Sequence, residues 1–205
     1  MIKRVVCRGR LWIRGAIERS LSTYALEMDF WQRLTALPPV ASPPDARYAV
    51  LVPMYRDDDG TDRIIFTRRP EHMRTHPGDV VFPGGGREKS EDPVATAKRE
   101  AWEEIRLPPE NVVEILGGLS PVTTRDRTRL IVPVVARIER PDELVPDPSE
   151  VHSIIEPPLE HLLDDDRWTT REWYGHELWF YEFDEGTLWG ATAFMVRELL
   201  KYLRD

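Results

Sequence analysis

Three glutamates, Glu100, Glu103 and Glu104, stand at i, i+3 and i+4 in a segment with helical patterning. At about 100° per residue that spacing gathers their carboxylates within roughly 100° of arc. Val94, Ala97, Ala101 and Ile105 form the adjoining apolar stripe. Such a helix buries one face and presents three carboxylates on its flank. A merely solvated acidic face fits this poorly. Like charges at i, i+4 repel, and the C-terminal half of a helix is the wrong end for negative charge, because the macrodipole is already negative there. A bound Mg2+ or Mn2+ accounts for the pattern, since hard cations take carboxylate oxygens. A divalent metal held there would polarise a bound oxygen and lower the pKa of a bound water.

Other residues near the trio suit the same chemistry. Gly84, Gly85 and Gly86 bring bare backbone towards the helix, where the Gly84 carbonyl can complete a metal shell and phosphates can approach closely. Arg99 can pair with Glu91 across the intervening loop and fix its shape. Arg68, Arg69, Arg74 and Arg87 flank the glycines, and guanidinium forks bind phosphate in bidentate fashion. Two carboxylates are candidates for the proton-accepting base, Glu103 on the helix and Glu150 in a later loop, and the sequence does not choose between them. A covalent nucleophile is not needed. Cys7 is the single cysteine and lies outside this region, and there is no Gly-x-Ser-x-Gly elbow. His72 and His76 are four apart, but Pro77 argues against a shared helical face, so zinc is not expected.

The elements that must position these groups can be read from punctuation and periodicity. Asp92 and Pro93 open a helix that runs to Ile105, the first as a cap and the second where its missing N–H costs nothing. Residues 49–55 and 63–67 read as a hairpin about the Asp57-Asp58-Asp59-Gly60 turn. Residues 75–87 form a loop with a short strand at 80–82. Further strands are predicted at 112–116, 130–138, 151–155, 172–174 and 178–183, of which 130–138 is nearly all apolar and therefore central. Residues 191–203 close the chain as a helix with Val196, Leu199, Leu200 and Leu203 on one side. Near the start, residues 20–37 pattern as an amphipathic helix, and Pro38, Pro39, Pro43 and Pro44 then read as a linker. Strands interleaved with helices predict an α/β (α+β) fold, an α/β/α sandwich with a mixed sheet. The expected division is an N-terminal arm, helix and linker over 1–44 and a single domain over 45–205.

Bulk properties bound the function. The 205 residues are 41% hydrophobic and 31% charged, an ordinary globular balance. A net charge of −8 argues against a nucleic-acid partner. No apolar run is long enough to span a bilayer. Lys3, Arg4, Arg8, Arg10, Arg14 and Arg19 face only Glu18 within residues 1–26. That composition resembles a mitochondrial presequence, with a basic surface arm, or a natural start at Met28, as the plainer readings. A cytoplasmic location is expected otherwise, and a homodimer is compatible with the sequence.

The pattern around the trio resembles the Nudix box: a glycine, five residues, Glu, seven residues, Arg-Glu, an aliphatic, any residue, Glu-Glu, any residue, Gly, an aliphatic. Gly85, Glu91, Arg99, Glu100, Ala101, Glu103, Glu104 and Leu107 fall on it in order. The resemblance implies Mg2+- or Mn2+-dependent hydrolysis of a nucleoside diphosphate linked to another moiety. It implies Glu100 and Glu104 as principal metal ligands, Glu103 as a third ligand or water-orienting group, and Arg99 as support. Arg106 departs from the pattern by replacing the second glycine, at a cost of roughly 1 kcal/mol if the left-handed backbone is kept.

The preceding segment, Phe66-Thr67-Arg68-Arg69, then Arg74, Gly78 and Phe82-Pro83-Gly84-Gly85, is similar to the additional motif of Nudix coenzyme A pyrophosphatases. Pro70 stands where that motif has Ser or Ala. Similarity continues in Pro148-Ser149-Glu150-Val151 and in Leu188-Trp189-Gly190-Ala191-Thr192-Ala193, so it covers about residues 47–200. It implies coenzyme A or acyl-CoA as substrate, cleaved to adenosine 3′,5′-bisphosphate and (acyl-)4′-phosphopantetheine, with Arg68, Arg69, Arg74, Gly84 and Gly85 binding it. The alternatives are another nucleoside diphosphate derivative, or a non-catalytic nucleotide-binding module.

Overall fold

The computed structural model describes residues 30–124, 129–173 and 175–204. The basic arm, Cys7, Met28 and the first half of the expected N-terminal helix lie outside the described residues.

Among the described residues, twelve strands make two six-stranded sheets, both mixed. The first is built on β1 (Tyr48–Arg56) and β8 (Leu130–Ile138), which run parallel with Tyr48 opposite Ile131 and Met54 opposite Arg137. Around them, β2 (Asp62–Ile64) and β5 (Gly84–Gly86) pair antiparallel with β1. On the far side, β6 (Val112–Gly118) and β7 (Val122–Thr123) pair antiparallel with β8. The second sheet contains β3 (Phe66–Arg68), β4 (Val80–Val81), β9 (Ser153–Ile155), β10 (Trp168–Trp173), β11 (His176–Phe183) and β12 (Gly186–Trp189), in the order β10-β11-β12-β4-β3-β9.

β1 and β8 are apolar on both faces because both faces are covered. Ala49, Leu51 and Tyr55 of β1, with Val132, Val134 and Ala136 of β8, face a core that helix α2 (Pro93–Ile105) closes with Ala97, Ala101 and Ile105. Val52, Met54 and Val135 point the opposite way, into a second core shared with Phe66, Leu188 and helix α4 (Gly190–Arg204). Helix, sheet and helix are thus layered as the periodicities predict.

The predicted strand 63–67 divides at Ile65, whose N–H donates to the Pro53 carbonyl at 3.0 Å. β2 stays with the first sheet and β3 crosses to the second, a change of partner that no periodicity encodes. β5 and β12 went unpredicted because glycine has no pattern and Gly186–Trp189 is too short for one.

The amphipathic helix ends early: α1 (Phe30–Arg33) gives way to a 3-10 turn over Leu34–Ala36. The proline stretch is more than a linker. Leu34 and Leu37 are buried in the second core, and the Pro38 carbonyl accepts from Gly118 at 2.9 Å. Gly117 allows this, since a Cβ there would overlap the Pro38 carbonyl. Helix α3 (Leu159–Leu163) adds Leu159 and Leu162 to the same core. No helix among the described residues is long and apolar enough to cross a membrane.

Candidate active site

α2 begins as its sequence dictates. Asp92 is extended, and its side chain accepts from the Ala95 N–H at 2.8 Å, while Pro93 occupies the first turn. The helix ends at Arg106, which adopts the left-handed conformation with φ +56°. Arginine therefore takes the turn that glycine would take more easily. Its guanidinium lies 5.5 Å from the Trp102 ring centroid, and Nη1 donates to the Trp102 carbonyl at 3.3 Å.

The three glutamates do not share one environment. Glu100 and Glu104 are buried, whereas the Glu103 side chain is 52% exposed. Helical spacing bounds an arc of roughly 100°, and the core boundary falls inside it. The Gly84 N–H donates to Glu104 Oε2 at 3.2 Å. Gly85 lies against Glu100 so closely that a Cβ would overlap the carboxylate. A side chain at Gly85 would fill the space against Glu100, and one at Gly84 would strike the backbone of Ala49 and Val50 on β1.

Burial dominates the electrostatics of the pair. It pushes the Glu104 carboxyl up to about 8, against the stabilising Gly84 N–H, and the charges of Glu100 and Glu150 add to the rise. Burial also raises Glu100, opposed by Arg99, whose Nη1 is 3.0 Å from Glu100 Oε1. Two carboxylates held this way without a cation carry an electrostatic cost.

Arg99 organises the loop before the helix. Its Nε donates to Glu91 Oε1 at 2.9 Å, Nη2 to the Gly86 carbonyl at 2.7 Å, and Nη1 to Glu103 Oε2 at 2.8 Å. Glu91 also accepts from the Glu88 N–H and the Thr96 hydroxyl, and with Arg99 as the leading cause its carboxyl falls to about 2. The Arg99–Glu91 pairing legible in the sequence is present.

Glu150 reaches the site through a docked loop. The N–H groups of Val145 and Asp147 donate to the carbonyls of Ile105 and Glu104, at 3.0 and 2.8 Å. These are helix-end acceptors that α2 cannot satisfy internally. Asp147 then accepts from the Ser149 N–H and hydroxyl and from the Glu150 N–H. Glu150 thereby lies close enough to act on both Glu100 and Glu104.

The arginines separate. Arg69 follows β3, donates from Nε to the Thr75 carbonyl at 3.4 Å, and its charge acts on Glu104. Arg68 takes the opposite face, because successive strand side chains alternate. It pairs with Glu71, lies beside Gly78 and Gly186, and its buried Nε has no protein partner. Arg68 is therefore not among the groups gathered at the carboxylates. Arg74 is exposed on the loop after β3, and Arg87 donates to the Glu91 carbonyl.

The residues fit a hard divalent cation in the sparse manner typical of Mg2+. Among the described residues, no three acidic, histidine or cysteine side chains form a complete cage. Mg2+ is commonly held by one or two carboxylates together with waters and substrate phosphates. The buried Glu100–Glu104 pair, with bare glycine backbone against it, supplies that minimum.

Residues 45–176 match the model of the NUDIX domain. The chain is 35% identical over 173 residues to Nudix hydrolase 15, mitochondrial, of Arabidopsis thaliana, covering 77% of this chain and 60% of that protein. It is 36% identical over 156 residues to the uncharacterized Nudix hydrolase NudL of Enterobacter sp. (strain 638), covering 74% and 79%. The chain thus spans about three-fifths of the Arabidopsis relative's length. A solved MutT/nudix family protein from Enterococcus faecalis is 17% identical, with a TM-score of 0.49, covering 94% of this chain and 74% of that one.

Proposed function

The chain belongs to the Nudix family, and on that premise we propose that it hydrolyses the diphosphate of coenzyme A or an acyl-CoA, giving adenosine 3′,5′-bisphosphate and (acyl-)4′-phosphopantetheine. The observation that carries the reading is the junction of two motifs. The segment from Phe66 to Pro83 runs as paired strands β3 and β4 straight into the glycines whose backbone meets Glu100 and Glu104. Of the residues that resemble the coenzyme A motif, Gly84, Gly85 and Arg69 lie where they act on the two carboxylates, and this supports the reading.

Each residue has a part in this reading. Glu100 and Glu104 would hold Mg2+ or Mn2+, which supplies charge neutralisation at the diphosphate oxygens. Arg69 and Arg74 supply fixed cations for a substrate that carries a 3′-phosphate besides its diphosphate. Gly84 and Gly85 let the diphosphate approach the backbone. Arg99 keeps the loop in shape. Of the two candidate bases we assign the proton to Glu150, because Glu103 is engaged by Arg99 while Glu150 stands exposed beside the buried pair.

Incubation of the purified protein with coenzyme A and Mn2+ or Mg2+, with products resolved by chromatography, tests the reading. Adenosine 3′,5′-bisphosphate should appear, and Glu104→Gln should abolish it. Cleavage of ADP-ribose or a nucleoside triphosphate with coenzyme A left intact would overturn the substrate and keep the reaction class.

A further inference from the structure

The second sheet turns one face to the interior and the other outward, and the outward face carries an unusual set of planar groups. Phe180 and Trp189 are direct cross-strand partners on β11 and β12. Their rings are 3° from parallel, with centroids 6.0 Å apart. The Arg171 guanidinium lies 4.6 Å from the Phe180 ring centroid, and the His76 ring centroid is 6.2 Å from that of Trp189. Both aromatic rings are only partly buried, whereas Tyr181 and Leu188, which point inward, are buried.

This face is continuous with the carboxylate site. Leu188 is in register with Val80, so Trp189 and Val81 share the outward side, and Val81 is in turn paired with Thr67. Arg69 lies two residues beyond Thr67 on that same side, and its charge acts on Glu104. His76, against Trp189, belongs to the loop whose Thr75 carbonyl accepts from Arg69. One surface therefore leads from the buried carboxylates, past Arg69 and Val81, to a pair of parallel aromatic rings.

We propose that Trp189, backed by Phe180, is the platform on which the nucleobase of the substrate stacks. The proposal deepens the function proposed above, under which the base is adenine. A flat, sequence-tolerant π-surface beside a phosphate-binding site is what a nucleobase recognises. Arg171 adds a cation at the Phe180 ring.

Calorimetric titration of metal-free protein with adenosine 5′-monophosphate tests the platform without relying on turnover. Trp189→Ala should weaken binding about tenfold, Phe180→Ala several-fold, and Trp189→Phe should stay within about threefold of the parent, with thermal midpoints recorded to verify folding. Equal affinities in the parent and folded Trp189→Ala would overturn the platform, as would parent protein that does not bind the nucleotide at millimolar concentration. Coenzyme A left uncut while Trp189→Ala still loses nucleotide affinity would remove the substrate assignment alone. Coenzyme A cut with a KM indifferent to Trp189→Ala would remove the platform alone.

Discussion

The backbone N–H of Asp147 donates to the carbonyl of Glu104 at 2.8 Å, so a loop far downstream in the chain is docked on the end of the helix that carries the buried carboxylates. The bond satisfies a carbonyl that α2 leaves open and, in the same contact, sets where Glu150 stands. Capping and site assembly are one interaction.

The Asp147 side chain should consequently matter to turnover. It accepts from both the N–H and the hydroxyl of Ser149, at 2.9 and 2.6 Å, and so shapes the turn that presents Glu150. Asp147→Ala is expected to lower kcat about tenfold with little change in KM. Glu150→Gln should lower it about 100-fold or more, the ordinary worth of a proton acceptor. Steady-state kinetics on both variants give the comparison, and an unaltered kcat in Glu150→Gln would return the base to Glu103.

Glu104 illustrates function held against stability. Its carboxyl is buried and displaced upward to about 8. Glu104→Gln keeps the shape and removes an ionisable group whose charged form burial penalises. Metal-free Glu104→Gln should be at least as stable as the parent in urea, by up to about 1 kcal/mol, while hydrolysis disappears. A clear loss of stability would mean that the carboxylate is structural.

Arg99→Lys should be costly although the charge is kept. The guanidinium reaches Glu91, Glu103 and the Gly86 carbonyl simultaneously, and one ammonium cannot reproduce that fork. A loss of about 2 kcal/mol is expected, typical for charged hydrogen bonds left unmade, measured by denaturant unfolding. Activity should fall as well, because the glycine loop loses its tether.

Acid should weaken the fold through Glu156. Burial alone would raise this carboxyl, but Arg140 grips it at 2.7 and 2.8 Å and Tyr55 donates to it, and together with nearby Arg63 they carry it below its usual 4.5. A depressed carboxyl contributes stability above its unfolded value, and that contribution is lost as pH falls through the folded one. The stability difference between the parent and Glu156→Gln should therefore be widest near neutrality and narrow below about pH 4.5. Urea midpoints across that range provide the check.

What the sequence by itself determined about this protein is local. Asp92 and Pro93 announced the start of α2, the apolar stripe of Ala97, Ala101 and Ile105 announced its buried face, and the Arg99–Glu91 pair was legible from spacing and charge. The Nudix pattern followed from the same residues, because a helix turn and a short loop place them through bonds alone. The tertiary structure decided the rest. Glu103 parts from Glu100 and Glu104 because the core boundary crosses the acidic arc, and only packing sets that boundary. Arg69 meets the site while Arg68 turns away, since the side a strand residue faces depends on which sheet receives the strand. Glu150 joins through helix-end carbonyls that have no sequence signature. The Phe180–Trp189 pair, invisible along the chain, exists because β11 and β12 pair in one register, and register is a property of the folded sheet.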